Sequence, residues 1–512
     1  MLVDISPNGD FMLARIPGLV LIAALAAATC AAAAPTGSSA TDVRVTAQEQ
    51  PQYAVTFDAE SKIATVRLCL ALAHADVDFR ADSHWAMGFV ADVRRSSGAS
   101  VAAVDSGWRV ARWRAGECLE YRADLAAIAS ERKADVGWQL GDDLVAAPEL
   151  WLLHADLDGS APARIDVSLP PGWSISAPWR TEPPERAGAK PPSASREASH
   201  LRFVIPPTPP NWSSAVAIGR FEEEKIALPG GQLRLTILHG PDAAQRATLR
   251  EWFGRVSRAI LSAYGRLPLA DVQVLMIPTQ GRGRRGVLFG QSVRGQGNSL
   301  QLLVDASRPA SDFNDDWMAV HELSHLMHPY LGDRGAWLAE GLATYYQNVL
   351  RARAALFSAD QGWAELADGF SRGSRNAFDD TLEDAAARMH RTHAFKRVYW
   401  AGAAFWLTVD VDLRRDSAGK HSLDDVLGRF RDCCLPAYRE WTPEEFVARL
   451  DALAASDIFG KRYREFAAQK QFPDWRRVFA ELGLDEVGRP LASANPPSAA
   501  RRDEIMHRPA PR

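Results

Sequence analysis

The chain has 512 residues, of which 47% are apolar and 24% charged, and its formal net charge is −4. That is the composition of an ordinary globular protein, long enough for two to four domains. So small a charge, without a clustered basic face, excludes the electrostatic footprint that nucleic-acid partners need.

Residues 1–35 are expected to be a signal peptide. The stretch "MLARIPGLVLIAALAAATCAAAAP" begins at Met12, the expected physiological start, and has Arg15 as a positive n-region. An apolar run from Ile16 to Thr29 follows, and then small residues suited to cleavage. The mature protein is therefore expected to be exported, to the periplasm or the medium. The alternative is that the run stays uncleaved as an anchor, which would be the chain's one contact with a membrane. "AATC" before Cys30 lacks the leucine usual for lipid attachment, and residues 36–42 are a linker.

From 43 to 237 the pattern is that of strands. "YAVTFDAESKIATVRLCLAL" alternates about a turn, and "ARIDVSLPPGWSIS" and "LRFVIPP" repeat the theme. A proline-rich break, "TEPPERAGAKPPSASREAS", is expected to be an exposed loop. Cys69 and Cys118 lie in strand-like segments here and could pair, as export permits. Cys433 and Cys434 are adjacent, and a bridge between neighbours is strained and rare.

Residues 238–355 change character. A long amphipathic helix, "AAQRATLREWFGRVSRAILSAYGRL", separates the short strands "QLRLTILHG" and "DVQVLMIP". "GRGRRGVLFGQSVRGQGNSLQLLVD" predicts a glycine-rich loop running into a strand. Its arginines, at 282, 284, 285 and 294, are expected in a solvated loop, the other reading being bidentate contacts to an acidic substrate or a C-terminal carboxylate.

The stretch "HELSHLMHPYLGDRGAWLAEGLATYY", His321 to Tyr346, carries the chemistry. His321 and His325 are four apart, so on a helix both imidazoles face one ion. Glu322 lies about 100° round the helix, able to face the same cleft without being forced onto the metal. Two histidines and a glutamate so spaced form the arrangement of a zinc site with a general base. A catalytic zinc needs a third protein ligand. Glu340 is the candidate, on a second helix that the turn "GDRG" at 332–335 folds back antiparallel. One Zn2+ per chain is expected. His328 is one turn further on and is expected to face solvent or pack near Tyr330.

From 356 to 486 the pattern is helical, with periodic segments at 383–412, 422–431, 443–455 and 460–469. Residues 487–512 are expected to be a flexible tail. No internal repeat is present.

"WLAEGLATYYQNVLRARAAL" and "VYWAGAAFWLTVDVDLRRDSAGKHSLDDVLGRF" resemble the glycyl aminopeptidase family, gluzincins related to aminopeptidase N. That family's second motif runs Tyr-Tyr, any residue, Lys-Gly, an aliphatic helix, Asp, Arg-Arg, Gly-Lys and Ser-Leu-Asp-Asp-Val. Tyr399, Gly402, Asp410, Arg414, Arg415, Gly419, Lys420 and "SLDDV" (422–426) match it. The resemblance covers about 240–485 well and 45–235 more weakly. It implies Tyr399 as the tyrosine that stabilises an oxyanion. It also implies an α+β architecture of three domains: an N-terminal β-sandwich-like domain, a thermolysin-like α/β catalytic domain and a C-terminal helical domain.

There are departures. The family's glycine-rich strand carries a glutamate for a substrate's free amine. The corresponding stretch is "GVLFG" (286–290), with Phe289 at that position. Gly286, Phe289 and Gly290 are the expected substrate-binding residues, with the strand edge pairing with a peptide. Ala401 replaces the motif's lysine, and about 27 residues after 485 leave no room for the family's usual PDZ domain. The expectation is an exported zinc metallopeptidase acting on peptides or proteins, as aminopeptidase or endopeptidase. The alternative is an inactive peptide-binding scaffold of the same fold.

Overall fold

A computed structural model describes residues 50–507, apart from 82–84, 134, 158–160, 183–198, 282–284 and 376–378, together with two short strands, Asp4–Ile5 and Phe11–Met12. Apart from those two strands, the expected signal peptide lies outside these residues, as does most of the proline-rich break. Among the described residues, no helix is long and apolar enough to cross a membrane.

The N-terminal part is built on a seven-stranded sheet flanked by two four-stranded sheets. Its strands show the alternation that a half-buried strand requires. In Gln52–Asp58, Tyr53, Val55 and Phe57 face the core and their neighbours face outward. Strands Ile63–Cys69 and Cys118–Asp124 pair so that Cys69 stands opposite Cys118, and the two form a disulfide.

A five-stranded sheet positions the site. Its order is Glu223–Leu228, Gly231–Ile237, Asp271–Pro278, Ser299–Val304 and Val287–Val293. The second, third and fourth of these are parallel, and Val287–Val293 runs antiparallel at the edge. Both faces are covered. Val274, Met276, Leu300 and Leu302 pack toward the helices, while Leu275, Ile277 and Leu303 pack with Trp138, Val145 and Ala217 of the N-terminal part. A sheet buried on both faces explains why "DVQVLMIP" is a nearly unbroken apolar run. The strands over 223–237, assigned from sequence to the N-terminal domain, belong to this sheet, because Gly231–Ile237 pairs in parallel with Asp271–Pro278.

The remainder is helical. Helices Ala336–Arg353 and Phe395–Asp416 cross where Gly341 meets Gly402. A Cβ on Gly402 would stand 1.9 Å from the Trp337 carbonyl oxygen, and one on Gly341 would stand 2.4 Å from the Gly402 backbone. Beneath this crossing lies a buried polar network. Asp410 accepts from the Tyr345 hydroxyl at 2.9 Å, Arg414 Nε at 3.1 Å and the Leu423 N–H at 2.9 Å. Asp424 accepts from the Tyr346 hydroxyl at 2.9 Å and Arg353 Nη1 at 3.1 Å. Ser422 and Asp425 form a capping box at the start of helix Leu423–Cys434. The matched residues of "SLDDV" and of the Asp and Arg positions are thus structural, with no place in the cleft.

Two expectations are corrected. Residues 487–507 are no flexible tail: Asn495 caps a helix, Pro496–Met506, whose Ile505 and Met506 are fully buried. The two prolines there begin the helix rather than break it, since proline fits the first turn. The Ile505 carbonyl accepts from Arg353 Nε at 2.7 Å. Cys433 and Cys434 are joined to each other at the end of their helix.

Gly402→Ala is expected to force the two helices apart. Overpacking of this kind costs about 1–3 kcal/mol, so the melting temperature should fall by several degrees, read by circular dichroism.

Candidate metal centre

Helix Met318–Ser324 is buried along its whole length and passes into one 3-10 turn, His325–Met327. His321 and His325 project from consecutive turns, as their spacing requires. The chain turns through Gly332, whose φ of 63° suits glycine, and re-enters as helix Ala336–Arg353. Glu340 then lies over both imidazoles. Glu340 Oε2 is 3.2 Å from His321 Nε2 and 3.5 Å from His325 Nε2, and the two Nε2 atoms are 3.3 Å apart. Among the described residues, this is the group of three side chains whose donor atoms could hold a metal ion.

The hydrogen bonds behind the imidazoles decide which nitrogens are free to ligate. His328 Nδ1 lies 2.6 Å from the Pro329 carbonyl, which can only accept, so Nδ1 carries the proton. Burial, with Arg294 nearby, holds the His328 pKa well below its usual value, so the ring is neutral and Nε2 accepts. His325 Nδ1 donates to that Nε2 at 3.0 Å, which leaves the His325 Nε2 turned toward Glu340. His321 Nδ1 donates to Gln347 Oε1 at 2.9 Å, with the same result for its own Nε2. His328 therefore neither faces solvent nor packs merely as a neighbour of Tyr330; it is 2% exposed and orients His325.

Charge around the centre is concentrated. Burial pushes the Glu340 carboxyl up, but His325 and His321 outweigh it and hold it well below the usual range. Burial pulls His321 down, but the Glu340 hydrogen bond and the Glu322 and Glu340 charges bring the net shift upward. Burial raises the Glu322 carboxyl, against the pull of both histidines and of the Ser292 backbone N–H. Burial, with the Glu340 and Glu322 charges, raises Tyr399 well above the ordinary phenol value, so its hydroxyl stays a donor. The Tyr399 ring stacks on His321, with centroids 6.0 Å apart and planes 13° from parallel, and its hydroxyl bonds to Glu340.

The centre opens into a cleft of about 880 Å³. Phe289 and Gly290 line it, and Gly286 does not. A Cβ on Gly290 would stand 2.8 Å from Glu322 Cγ, so only glycine lets the edge strand approach the base this closely. Gly286 is instead packed on the Phe313 ring, where a Cβ would stand 2.5 Å away, which corrects its assignment to substrate binding. Phe289 also packs against the cluster of Leu275, Ile277 and Leu303. Arg294 does not lie in a solvated loop: its Nη2 donates to the carbonyls of His325 at 2.6 Å and His328 at 3.4 Å. Burial lowers its pKa to about 10. Arg285 lines the cleft, and Arg282 and Arg284 lie outside the described residues. Gln347 and Ser292 are positions at the centre that the sequence did not single out, and His328 and Arg294 are ones whose surroundings it misjudged. Gln347 was accessible from the sequence, lying seven residues, two turns, beyond Glu340.

No family description matches this sequence, and no curated protein matches it. Solved structures do. An aminopeptidase N family protein from Idiomarina loihiensis aligns with a TM-score of 0.64 at 14% identity, over 85% of this chain and 79% of that one. An M1 zinc metallopeptidase from Deinococcus radiodurans, a mutant bound to a Tyr-Ser-Ala substrate, aligns at 0.51 and 16%, over 83% and 95%. An M1 zinc metallopeptidase from the same organism aligns at 0.50 and 15%, over 87% and 96%. The chain has the multidomain α+β fold of these proteins.

Removing the partners behind the imidazoles tests their orienting role. Gln347→Leu and His328→Phe should each weaken metal binding about 10–100-fold, measured by competition with a chromophoric chelator. His390→Phe, a cleft histidine away from the three donors, should leave the affinity unchanged.

Proposed function

We propose that the chain is a zinc-dependent peptidase of the gluzincin type. One observation carries this reading: the donor atoms of His321, His325 and Glu340 stand 3.2, 3.3 and 3.5 Å from one another. Donors about 2.05 Å from a tetrahedral zinc lie about 3.3 Å apart. With their Nδ1 atoms engaged by Gln347 and His328, the two imidazoles turn their Nε2 atoms inward, so the donor set fits the ion without rearrangement. When bound, zinc supplies Lewis acidity, acidifying a water molecule toward neutral pH and polarising a peptide carbonyl.

The chain's own residues do the rest. Glu322 takes the proton of the attacking water and passes it to the nitrogen of the leaving amine. A carboxyl raised by burial is better matched to that exchange than an ordinary one. The Tyr399 hydroxyl, held beside Glu340, donates to the oxygen on which negative charge develops. The edge strand Val287–Val293 offers backbone groups on the cleft side to an extended peptide, and Gly290 keeps that path open above Glu322. Export is part of the proposal; the disulfide Cys69–Cys118 supports it, since such bonds persist in oxidising compartments.

The edge strand and the residue after it, 287–294, carry no carboxylate on either face. A substrate's free ammonium would find no partner on that strand and would have to turn to the cleft's other carboxylates, Asp135, Asp333 and Glu365, so this reading favours cleavage that does not depend on a free N-terminus.

Purified protein should hold about one zinc per chain. A mixed peptide library should be cleaved, and chelation should abolish the cleavage. Glu322→Gln should keep the zinc and lose at least a hundredfold to ten-thousandfold in kcat, roughly the range for losing a general base. A zinc-loaded wild type that cleaves nothing would instead mark the chain as a peptide-binding scaffold.

Acetylating the N-terminus of a good substrate should leave kcat/KM within about tenfold. An ammonium held by a carboxylate would lose about 10–100-fold on acetylation.

A further inference from the structure

The cleft continues past the metal centre along helix Ala336–Arg353. Glu340, Thr344, Gln347 and Arg351 all line it, at intervals of four, three and four residues. That spacing is one stripe on a helix, and eleven residues at 1.5 Å each place Arg351 about 16 Å beyond Glu340. On the opposite wall, Arg285 precedes Gly290 by five residues, up to about 16 Å along an extended chain. Both arginines bear on Asp316, just ahead of the histidine helix, so the two walls converge at the same end of the cleft.

Each arginine has an unanswered donor. Nη1 of Arg285 and Nε of Arg351 are buried and without a hydrogen-bond partner. Arg308, Arg353, Arg397, Arg414 and Arg501 also have such nitrogens, but none of them lines the cleft. Arg351 is only 6% exposed and is held in place, with Nη2 donating to the Asp315 carbonyl at 2.9 Å and its guanidinium over the Phe357 ring. A buried charged donor left unpaired costs free energy that an anionic ligand restores. Asp316, one oxygen of which accepts from the Ala319 N–H, lies near both guanidinium groups, and Asp315 and Glu365 also bear on Arg351, so the case for an anion rests on the two unanswered donors and not on net charge.

We propose that Arg285 and Arg351 form an anion subsite that takes a carboxylate of the peptide substrate, four or five residues from the bond that is cut. The distance follows from about 16 Å at about 3.3 Å per extended residue. The subsite rests on the peptidase reading for the identity of its ligand. The carboxylate is either the α-carboxylate of a short peptide or the side chain of an Asp or Glu. The substrate would then be anchored by a negative group far from the metal, consistent with an edge strand that has no carboxylate for an ammonium.

The test is binding, so that it does not depend on turnover. Zinc-loaded Glu322→Gln protein is titrated calorimetrically with alanine-based penta- to octapeptides, each as free acid and as C-terminal amide. At one or more lengths the acid should bind about 10–100-fold more tightly, as two charge-assisted hydrogen bonds imply. Arg285→Gln and Arg351→Gln, each added to that background, should bring the acid down to the affinity of the amide. An amidated peptide carrying one glutamate that regains tight binding identifies a side chain as the source; one that does not identifies the α-carboxylate. Equal binding of acid and amide at every length, or a preference that survives both substitutions, overturns the proposal. Arg285→Gln, in a loop, keeps the test decisive if Arg351→Gln does not fold. A preference for the acid without any turnover by the wild type would sink the peptidase reading and leave the subsite standing.

Discussion

The crossing of helices Ala336–Arg353 and Phe395–Asp416 is the constraint on which the site depends. Two glycines, Gly341 and Gly402, let the backbones meet without intervening side chains. Glu340 sits one residue before that contact and Tyr399 three residues before it on the other helix. The same close approach therefore sets the third donor of the metal group and the tyrosine stacked on His321. The network under the crossing holds the approach in place. Asp410, Arg414, Asp424 and Arg353 are buried charges whose partners include one another and the hydroxyls of Tyr345 and Tyr346. Removing one member would strand the rest, and breaking such a buried pair costs about 3–5 kcal/mol. The geometry above is specific because the charges below tolerate no slippage.

A second constraint ties the strand that would hold substrate to the helix that holds the ligands. Arg294 follows the edge strand and donates to carbonyls at the end of the histidine helix, which would otherwise lack partners. Ser292 bonds Glu322 through its backbone, and Gly290 rests against the same residue. Base, ligands and strand edge form one rigid wall.

Much of this was legible in the sequence where the information is local. The pair His321 and His325 needs only helix periodicity, and Glu340 needs only that plus one turn. The alternation in Gln52–Asp58 and the short apolar run of Asp271–Pro278 each predicted a strand, and the structure has both. What escaped was decided by distant contacts. Arg294 looks like part of a charged loop until the His325 carbonyl is placed over it. His328 looks solvated until the Pro329 carbonyl fixes its tautomer. Gly286 and Gly290 are indistinguishable in a glycine-rich stretch, yet one meets Phe313 and the other Glu322. The final residues were misjudged because proline and alanine content suggests a tail, while an Asn495 cap and two buried residues, Ile505 and Met506, make a docked helix.

That last helix closes over the polar network from outside. The Ile505 carbonyl answers Arg353, and Glu504 pairs with Arg414 at 3.3 Å. The same two arginines hold Asp424 and Asp410 beneath the glycine crossing. This helix therefore acts as a keystone: until it is seated, the charges beneath it lack two of their partners. The metal-binding geometry is thereby tied to the docking of a helix that meets Arg353 from 152 residues further along the sequence.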